Sequence, residues 1–237
     1  MEGAEAQFEA EIYSMPAVFM LKAEIPDDLV DNLNDYLDEL RKDKKRESLA
    51  STLVGQIHQG EQLNIPFTED ERITPYARYL TDLGATYINH FSQATGVQYK
   101  KQKQVAVDEL WSVHSFEGDY NPIHDHGTKT VMGISTTTWT KVPQQILDQP
   151  TSGTPEYSLY NSSGNCDGCL AFNYGRNSLL DSDRLFPPQS FVVKPEVGVQ
   201  YIFPSGLQHM VYPFFGKGER RTVAANLNCW DISEQEQ

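Results

Sequence analysis

Three histidines and one arginine carry the chemistry this sequence is equipped for. His124 and His126 close the stretch WSVHSFEGDYNPIHDH, which begins at Trp111, and they stand at i and i+2. In an extended segment that spacing puts both imidazoles on one face, because side chains alternate with a period of two. A distant segment, YIFPSGLQHMVYP, supplies His209, and Arg220 follows ten intervening residues later. Three neutral nitrogen donors suit Fe, Zn, Ni or Cu better than Mg or Ca. A close pair on one strand plus a third ligand from another makes a facial set and leaves the opposite positions open. A guanidinium beside it can grip a carboxylate through two parallel bonds. An H-x-H pair alone is weak evidence, since two histidines this close arise by chance. The context of His209 and Arg220 gives it weight.

Positioning these groups requires strands. From Gln102 onward, short stretches rich in Val, Thr, Tyr and Phe are separated by Gly, Pro, Asn, Asp and Ser, as in VAVDELWSV, KTVMGISTTTWT, GCLAFNY, QSFVVKP, VQYIFP and RTVAANLNCW. This texture predicts seven or eight short strands in a sandwich or barrel. The threonine run within Val131–Thr140 lacks apolar alternation and is expected to line a polar interior. Before Gln102 the pattern is different. Residues 1–15 are polar and acidic, and Pro16–Ile25 reads as a strand. Leu29, Val30, Leu33, Tyr36, Leu37 and Leu40 recur at helical spacing, with Asp27 as the expected cap and the basic run from Arg41 in the last turn, solvated. Residues 47–69 read as irregular. Thr74-Pro75 opens a second helix striped by Tyr76, Leu80, Leu83, Tyr87 and Phe91, and Gly96 closes it. The expected organisation is an N-terminal strand and helical extension, 1–100, and a β core, 101–237, forming one compact unit.

Composition narrows the function classes. The chain has 237 residues and a formal net charge of -14, which argues against nucleic acid and anionic membrane, since both are bound through basic patches. No apolar run reaches the length of a membrane span. The first twenty residues carry Glu2, Glu5, Glu9 and Glu11 with no basic cluster, unlike a secretory signal. Three cysteines do not make a disulfide scaffold. A cytoplasmic location is expected.

Two family resemblances rest on these motifs. Gly118, five residues, then His124-x-His126, and Gly198, five residues, Pro204-x-Gly206, two residues, His209, resemble the two cupin motifs of double-stranded β-helix proteins. The cupin glutamate beyond H-x-H is missing here, and Pro213 stands where that pattern has Asn. The sharper resemblance is to the Fe(II)/2-oxoglutarate-dependent oxygenases, in a branch of marine bacteria and phages related to the prolyl 4-hydroxylase type. Trp111, Asn121, His124, His126, Phe203, Pro204, Ser205, His209, Val211, Pro213, Arg220, Thr222 and Asn226 follow that branch's order, over about half the chain. The resemblance implies a mainly β jelly roll, the cupin-like double-stranded β-helix, with N-terminal helices packed on one sheet. It implies Fe(II), 2-oxoglutarate and dioxygen, with Arg220 and Thr222 holding the distal carboxylate of 2-oxoglutarate. It implies oxidation, by default hydroxylation, of a small-molecule or peptidyl substrate, coupled to formation of succinate.

The sequence departs from the family where a carboxylate is usual: position 126 is His. Two accounts stay open. Either His124, His126 and His209 are the ligands, or Asp125 turns inward at a strand irregularity and His126 supports it; Asp119 is a more distant acid. Period two favours the three histidines. Asn121, Trp139 and Asn226 are pocket candidates, with Tyr120. His58 and His90 read as structural, His114 as structural or substrate-facing, Cys166 to Cys169 as a turn with a labile redox pair as the alternative, and Arg221 as pointing away into a surface ion pair. The rival functions are a cupin-type metalloenzyme that does not use 2-oxoglutarate and a non-catalytic jelly-roll binding module.

Overall fold

The computed structural model describes residues 18–55, 57–148, 166–175 and 189–232. Ten strands lie among them, in two antiparallel sheets. The larger sheet has the order β1-β8-β5-β10-β3-β2. Its members are β1 (Leu21–Glu24), β2 (Glu61–Asn64), β3 (Lys103–Ser115), β5 (Met132–Lys141), β8 (Val199–Pro204) and β10 (Arg220–Asp231). The smaller sheet is β4-β9-β6-β7, built from β4 (Asn121–His124), β6 (Leu170–Asn173), β7 (Ser190–Val193) and β9 (Gln208–Val211). Eight of the ten follow residue 102, as the strand texture predicts. This is the jelly-roll, double-stranded β-helix arrangement. β1 and β2, from the N-terminal hundred residues, form the two edges of the larger sheet.

Two helices cover the outer face of the larger sheet. Helix α1 (Asp27–Leu40) buries Leu29, Val30, Leu33 and Leu37. Its first residues, Asp27 and Asp28, complement the positive end of the helix dipole. Asp27 is not the cap: Pro26 holds that place, without a side-chain bond. The helix also stops before the basic run, which therefore lies beyond the last turn. That run is not merely solvated, because Arg41 and Arg46 converge on the Glu61 carboxylate of β2 at 3.1 and 2.7 Å. Helix α2 (Thr74–Thr95) has Pro75 in its first turn and ends at Gly96, whose φ of 72° needs glycine. Both helices share one core with Val105, Leu110, Ile134, Ile202, Val223, Ala225 and Leu227 from the sheet.

β2 lies inside the stretch expected to be irregular. Its sequence, EQLN, holds a single apolar residue, so neither periodicity nor composition marks it. Tertiary pairing with β3 makes it a strand. Between the two sheets a second core gathers Trp139, Leu170, Phe172, Val193, Val199, Tyr201, Phe203 and Leu207. Trp139 is 2% exposed there, so it packs in the core and does not line the pocket expected for it. Cys166–Cys169 forms a turn, with the Cys169 N–H donating to the Cys166 carbonyl. No described helix is long and apolar enough to cross a membrane.

Candidate active site

Strand β10 sorts its side chains by parity. Val223, Ala225 and Leu227 enter the helix-covered core, whereas Arg220, Thr222 and Ala224 line a cavity of about 70 Å³ between the sheets. β3 does the same, with Trp111, Val113 and Ser115 facing the cavity. The smaller sheet supplies the histidines. β4 and β9 pair so that His124 lies directly opposite His209. The register slips between Asn121 and His124, across Pro122, which has no N–H to give to a ladder. Beyond β4 the alternation continues: Ile123 and Asp125 are exposed, and His124 and His126 face inward, half-buried. The His126 N–H donates to the Ser205 carbonyl at 2.9 Å, which fixes the segment just past the strand.

One ring nitrogen from each of His124, His126 and His209 lies within 4.8 Å of the other two. The remaining nitrogens are already committed. His124 Nδ1 donates to the Pro122 carbonyl at 2.7 Å and His209 Nδ1 to the Leu207 carbonyl at 2.9 Å. A carbonyl can only accept, so Nδ1 carries the proton in both and Nε2 keeps its lone pair. His126 Nδ1 is 3.1 Å from Asn226 Oδ1 and 3.0 Å from Ser135 Oγ. Ser135 itself donates to that Asn226 oxygen at 2.8 Å. Three Nε2 lone pairs backed by three Nδ1–H donors is the pattern of metal-ligating histidines. Their protonation suits it as well. Burial, then the neighbouring imidazoles, holds His126 down at about 4 and His209 at about 3, and burial lowers His124 too. All three are neutral at pH 7, as ligands must be. Asp119 lies outside this group: its carboxylate accepts the backbone N–H groups of His58 and Phe116 at 2.7 and 2.9 Å.

The arginine presents a second opening for a ligand. Arg220 is 3% exposed and donates to the Gly168 carbonyl at 2.9 Å, the Tyr212 carbonyl at 3.4 Å and Ser115 Oγ at 3.3 Å. None of these acceptors is charged, and its buried Nε has no partner. Burial pushes its pKa down to about 10. Among the described residues it makes no ion pair, and the Asp119 carboxylate acts on it only from a distance; a buried cation so weakly compensated is costly, and a carboxylate entering the cavity would relieve it. Thr222, half-buried, lines the same cavity two residues along.

Matches to known proteins agree with this geometry. A family profile described as "Putative 2OG-Fe(II) oxygenase" matches residues 109–226, which hold the three histidines, Arg220, Thr222 and Asn226. The chain belongs to the 2-oxoglutarate- and Fe(II)-dependent oxygenases. No curated protein matches it. Among solved structures, the oxygenase resembles a Pseudomonas putida prolyl-4-hydroxylase at TM-score 0.54 and 15% identity, over 88% of this chain and 91% of that one. It resembles HygX from Streptomyces hygroscopicus, with nickel and 2-oxoglutarate bound, at TM-score 0.50 and 10% identity, over 90% and 83%. It also resembles a Trichoplax adhaerens prolyl hydroxylase in complex with a hypoxia inducible factor peptide fragment, at TM-score 0.50 and 14% identity, over 93% and 85%. Its co-reactants are those of the family: Fe(II), 2-oxoglutarate and dioxygen.

Two supporting residues, Glu109 and Ser135, escape a reading of the sequence, whereas Asn226, Asn121 and Tyr120 are among its pocket candidates. Asn226 is a hinge of hydrogen bonds: its Oδ1 receives His126 and its Nδ2 donates to Glu109 at 3.0 Å. Glu109 and Ser135 had no motif to mark them. Asn121 lines the cavity, and its amide donates to His124 Nε2 at 3.2 Å. Tyr120 stands at the mouth, 38% exposed. His114 is buried as a structural residue, bonded to Glu219 at 2.6 Å and Ser112 at 2.9 Å. Arg221 points away from the cavity as parity requires, but its guanidinium is not at the surface, although its partner Asp38 is half-exposed. Arg221 is 0% exposed and is held by Glu219 at 2.8 Å, Asp38 at 2.5 Å and Asn34 at 3.1 Å. The surface expectation fails because α1 covers that face of β10.

Proposed function

We propose that His124, His126 and His209 hold Fe(II) on one face, and that Arg220 with Thr222 grips the distal carboxylate of 2-oxoglutarate. The observation that carries this reading is the pairing of three clustered imidazoles, of whose Nε2 lone pairs only that of His124 accepts a bond, from the Asn121 amide, with a buried guanidinium that makes no ion pair among the described residues and lines the same cavity. Asp125, exposed on the opposite face, is left out of the ligand set. With a carboxylate absent, the three imidazoles leave the iron's charge uncompensated by the protein, and the dianionic co-substrate supplies the balance.

The oxygenase acts as a hydroxylase on a small-molecule or peptidyl substrate. Bound iron and co-substrate supply the oxidising chemistry: one oxygen atom of dioxygen enters a substrate C–H bond while 2-oxoglutarate loses carbon dioxide and becomes succinate. The chain's own residues bind and orient. Asn226 and Ser135 hold the His126 ring, Pro122 and Leu207 carbonyls hold the other two, and Trp111, Val113 and Ala224 give the cavity apolar walls. Apolar walls lower the local dielectric and so strengthen an Arg220–carboxylate contact. Anaerobic titration of Fe(II), then of 2-oxoglutarate followed by its charge-transfer band with iron, tests the assignment. Stoichiometric iron in a His209→Ala protein would overturn the ligand set. Unchanged 2-oxoglutarate affinity in Arg220→Met would overturn the co-substrate site.

A further inference from the structure

A second cavity, of about 440 Å³, opens on the other side of the histidines. That is the size of a site for a small ligand or a single side chain. It shares Trp111, Asn121, His124 and His126 with the first, so it meets two of the three imidazoles, and neither His209 nor Arg220 lines it. Among the described residues its charge is one-signed: the exposed carboxylates of Glu47, Glu109 and Asp125 line it, and no described lysine or arginine does. Other carboxylates of this protein have cationic partners: Glu61 has Arg41 and Arg46, Asp70 has Arg72, Asp108 has Lys129, and Glu219 has Arg221. Among the described residues, the three cleft acids have none. Glu47 and Glu109 are instead oriented by neutral amides, Asn64 at 2.8 Å and Asn226 at 3.0 Å. Both carboxylates thus have a fixed direction and make no ion pair among the described residues; the cation that acts on Glu109 from a distance, Lys129, is paired with Asp108.

We propose that this cleft takes a cationic substrate, one that carries a protonated amine or a guanidinium beside the carbon to be oxidised. The proposal rests on the reading above, since the cleft belongs to the substrate because it opens on the proposed iron site. It does not rest on the acids alone: a cavity continuous with the histidines exists whatever its charge, and the acids decide what enters it. The two cavities divide the ligands by sign. A dicarboxylate is drawn to Arg220 and repelled by Glu47, Glu109 and Asp125, and a cation is sorted the opposite way. The Trp111 ring lines the cleft, offering an aromatic surface to an alkyl stem or a cation. Through Asn226, Glu109 also touches the hydrogen-bond chain that holds His126, so a cation on Glu109 sits one residue away from the proposed metal ligand.

The probes are three blocked amino acids of similar length: N-acetyl-lysine methylamide, N-acetyl-norleucine methylamide and N-acetyl-glutamate methylamide. Their binding to the anaerobic Fe(II)- and 2-oxoglutarate-loaded protein is measured by calorimetry at low and high salt. The lysine probe should bind at least tenfold more tightly than the norleucine probe at low salt, with the margin shrinking in high salt. Glu47→Gln and Glu109→Gln keep their amide partners and lose only charge. Each should weaken the lysine probe about fivefold, the equivalent of ~1 kcal/mol for one charge pair in a water-like surrounding, and leave the norleucine probe unchanged. Equal binding of lysine and norleucine probes, tighter binding of the glutamate probe, or no lysine binding at 10 mM would overturn the proposal. So would an unchanged lysine preference in the Glu47→Gln, Glu109→Gln double variant. Iron and 2-oxoglutarate binding are recorded first in the same samples. Their failure would indict the ligand assignment, and their success with no cation preference would indict the cleft alone.

Discussion

Replacing Arg220 by methionine should separate what the arginine does for folding from what it does for binding. In the ligand-free protein its guanidinium is buried beside neutral acceptors, and burial pulls its pKa from 12.5 to about 10. At 1.36 kcal/mol per pKa unit, that burial costs the folded state about 3 kcal/mol. Against it stand three hydrogen bonds, only one of them short, each contributing about 0.5–1.5 kcal/mol. The terms nearly cancel, so Arg220→Met should change the ligand-free stability by no more than about 1 kcal/mol, or roughly 2–4 °C in Tm for a chain of this size. Binding should respond differently. A charge-assisted bond contributes about 1.5–3 kcal/mol, so 2-oxoglutarate affinity should fall about 10- to 150-fold. Wild type at a hundredfold excess over Kd gains about 2.7 kcal/mol from the co-substrate, and the variant at the same concentration should gain little. Arg220→Lys should recover only part, because an ammonium cannot reproduce the fork. The assay is thermal melting of the anaerobic Fe(II) protein with and without 2-oxoglutarate, alongside titration of the charge-transfer band. A ligand-free Tm more than about 10 °C lower, with 2-oxoglutarate affinity intact, would make Arg220 a structural residue and refute this reasoning.

The neighbouring arginine should behave in the opposite way. Arg221→Met removes a fully buried guanidinium from Glu219, 14% exposed, and Asp38, 48% exposed, which should cost about 1.5–3 kcal/mol of stability, while the protein keeps its 2-oxoglutarate affinity. For the metal, His124→Ala, His126→Ala and His209→Ala should each lose stoichiometric iron, measured by metal analysis, whereas Asp125→Ala should retain it; His126→Asp, which restores the common family pattern, should bind iron again. Asn226→Ala should lower iron affinity about 10- to 100-fold by freeing the His126 ring, with far less effect on melting than Arg221→Met. Glu219 is pushed up by burial but held down overall, to about 2, by hydrogen bonds from His114 and Arg221. A depressed carboxylate stabilises the fold fully above its unfolded value of about 4.5 and loses that contribution as pH falls toward 2. Glu219→Gln should therefore flatten the acid limb of stability between pH 4.5 and 2 in urea titrations, and an unchanged limb would exclude the pair as its source.

The sequence discloses the parts of the site that depend on spacing within one element. H-x-H on a strand and the interval from His209 to Arg220 are local facts, and period two then assigns faces correctly to Arg220, Arg221, Asp125 and His126. What period two cannot say is what covers a face. Arg221 looked like a surface residue because nothing in β10 announces that α1 lies over it. Trp139 looked like a pocket residue for the same reason: its neighbours Leu170, Phe172 and Tyr201 come from strands distant in sequence. β2 was invisible because four mostly polar residues carry no signal of their own, and the pairing that makes them a strand belongs to β3. The acid-lined cleft was equally hidden, since Glu47, Glu109 and Asp125 come from three separate segments and each resembles ordinary solvated charge.

β10 shows why fold and function are hard to separate here by position yet easy by parity. Its outward residues Arg221, Val223, Ala225 and Leu227 anchor the helices, while its inward residues Arg220 and Thr222 line the cavity proposed for the co-substrate and Asn226 bonds to the His126 ring. A one-residue slip of this strand would exchange the two sets at once, carrying a buried ion-pair partner into the cavity and the co-substrate's arginine into the helix interface. Such a slip is opposed from both sides. Glu219, Asp38 and Asn34 hold Arg221 outward, while Gly168, Tyr212 and Ser115 hold Arg220 inward. The ion-pair network behind the strand therefore does more than stabilise α1. By fixing the register it keeps the Arg220 guanidinium lining the cavity without an ion pair among the described residues, placed as the proposed carboxylate site requires.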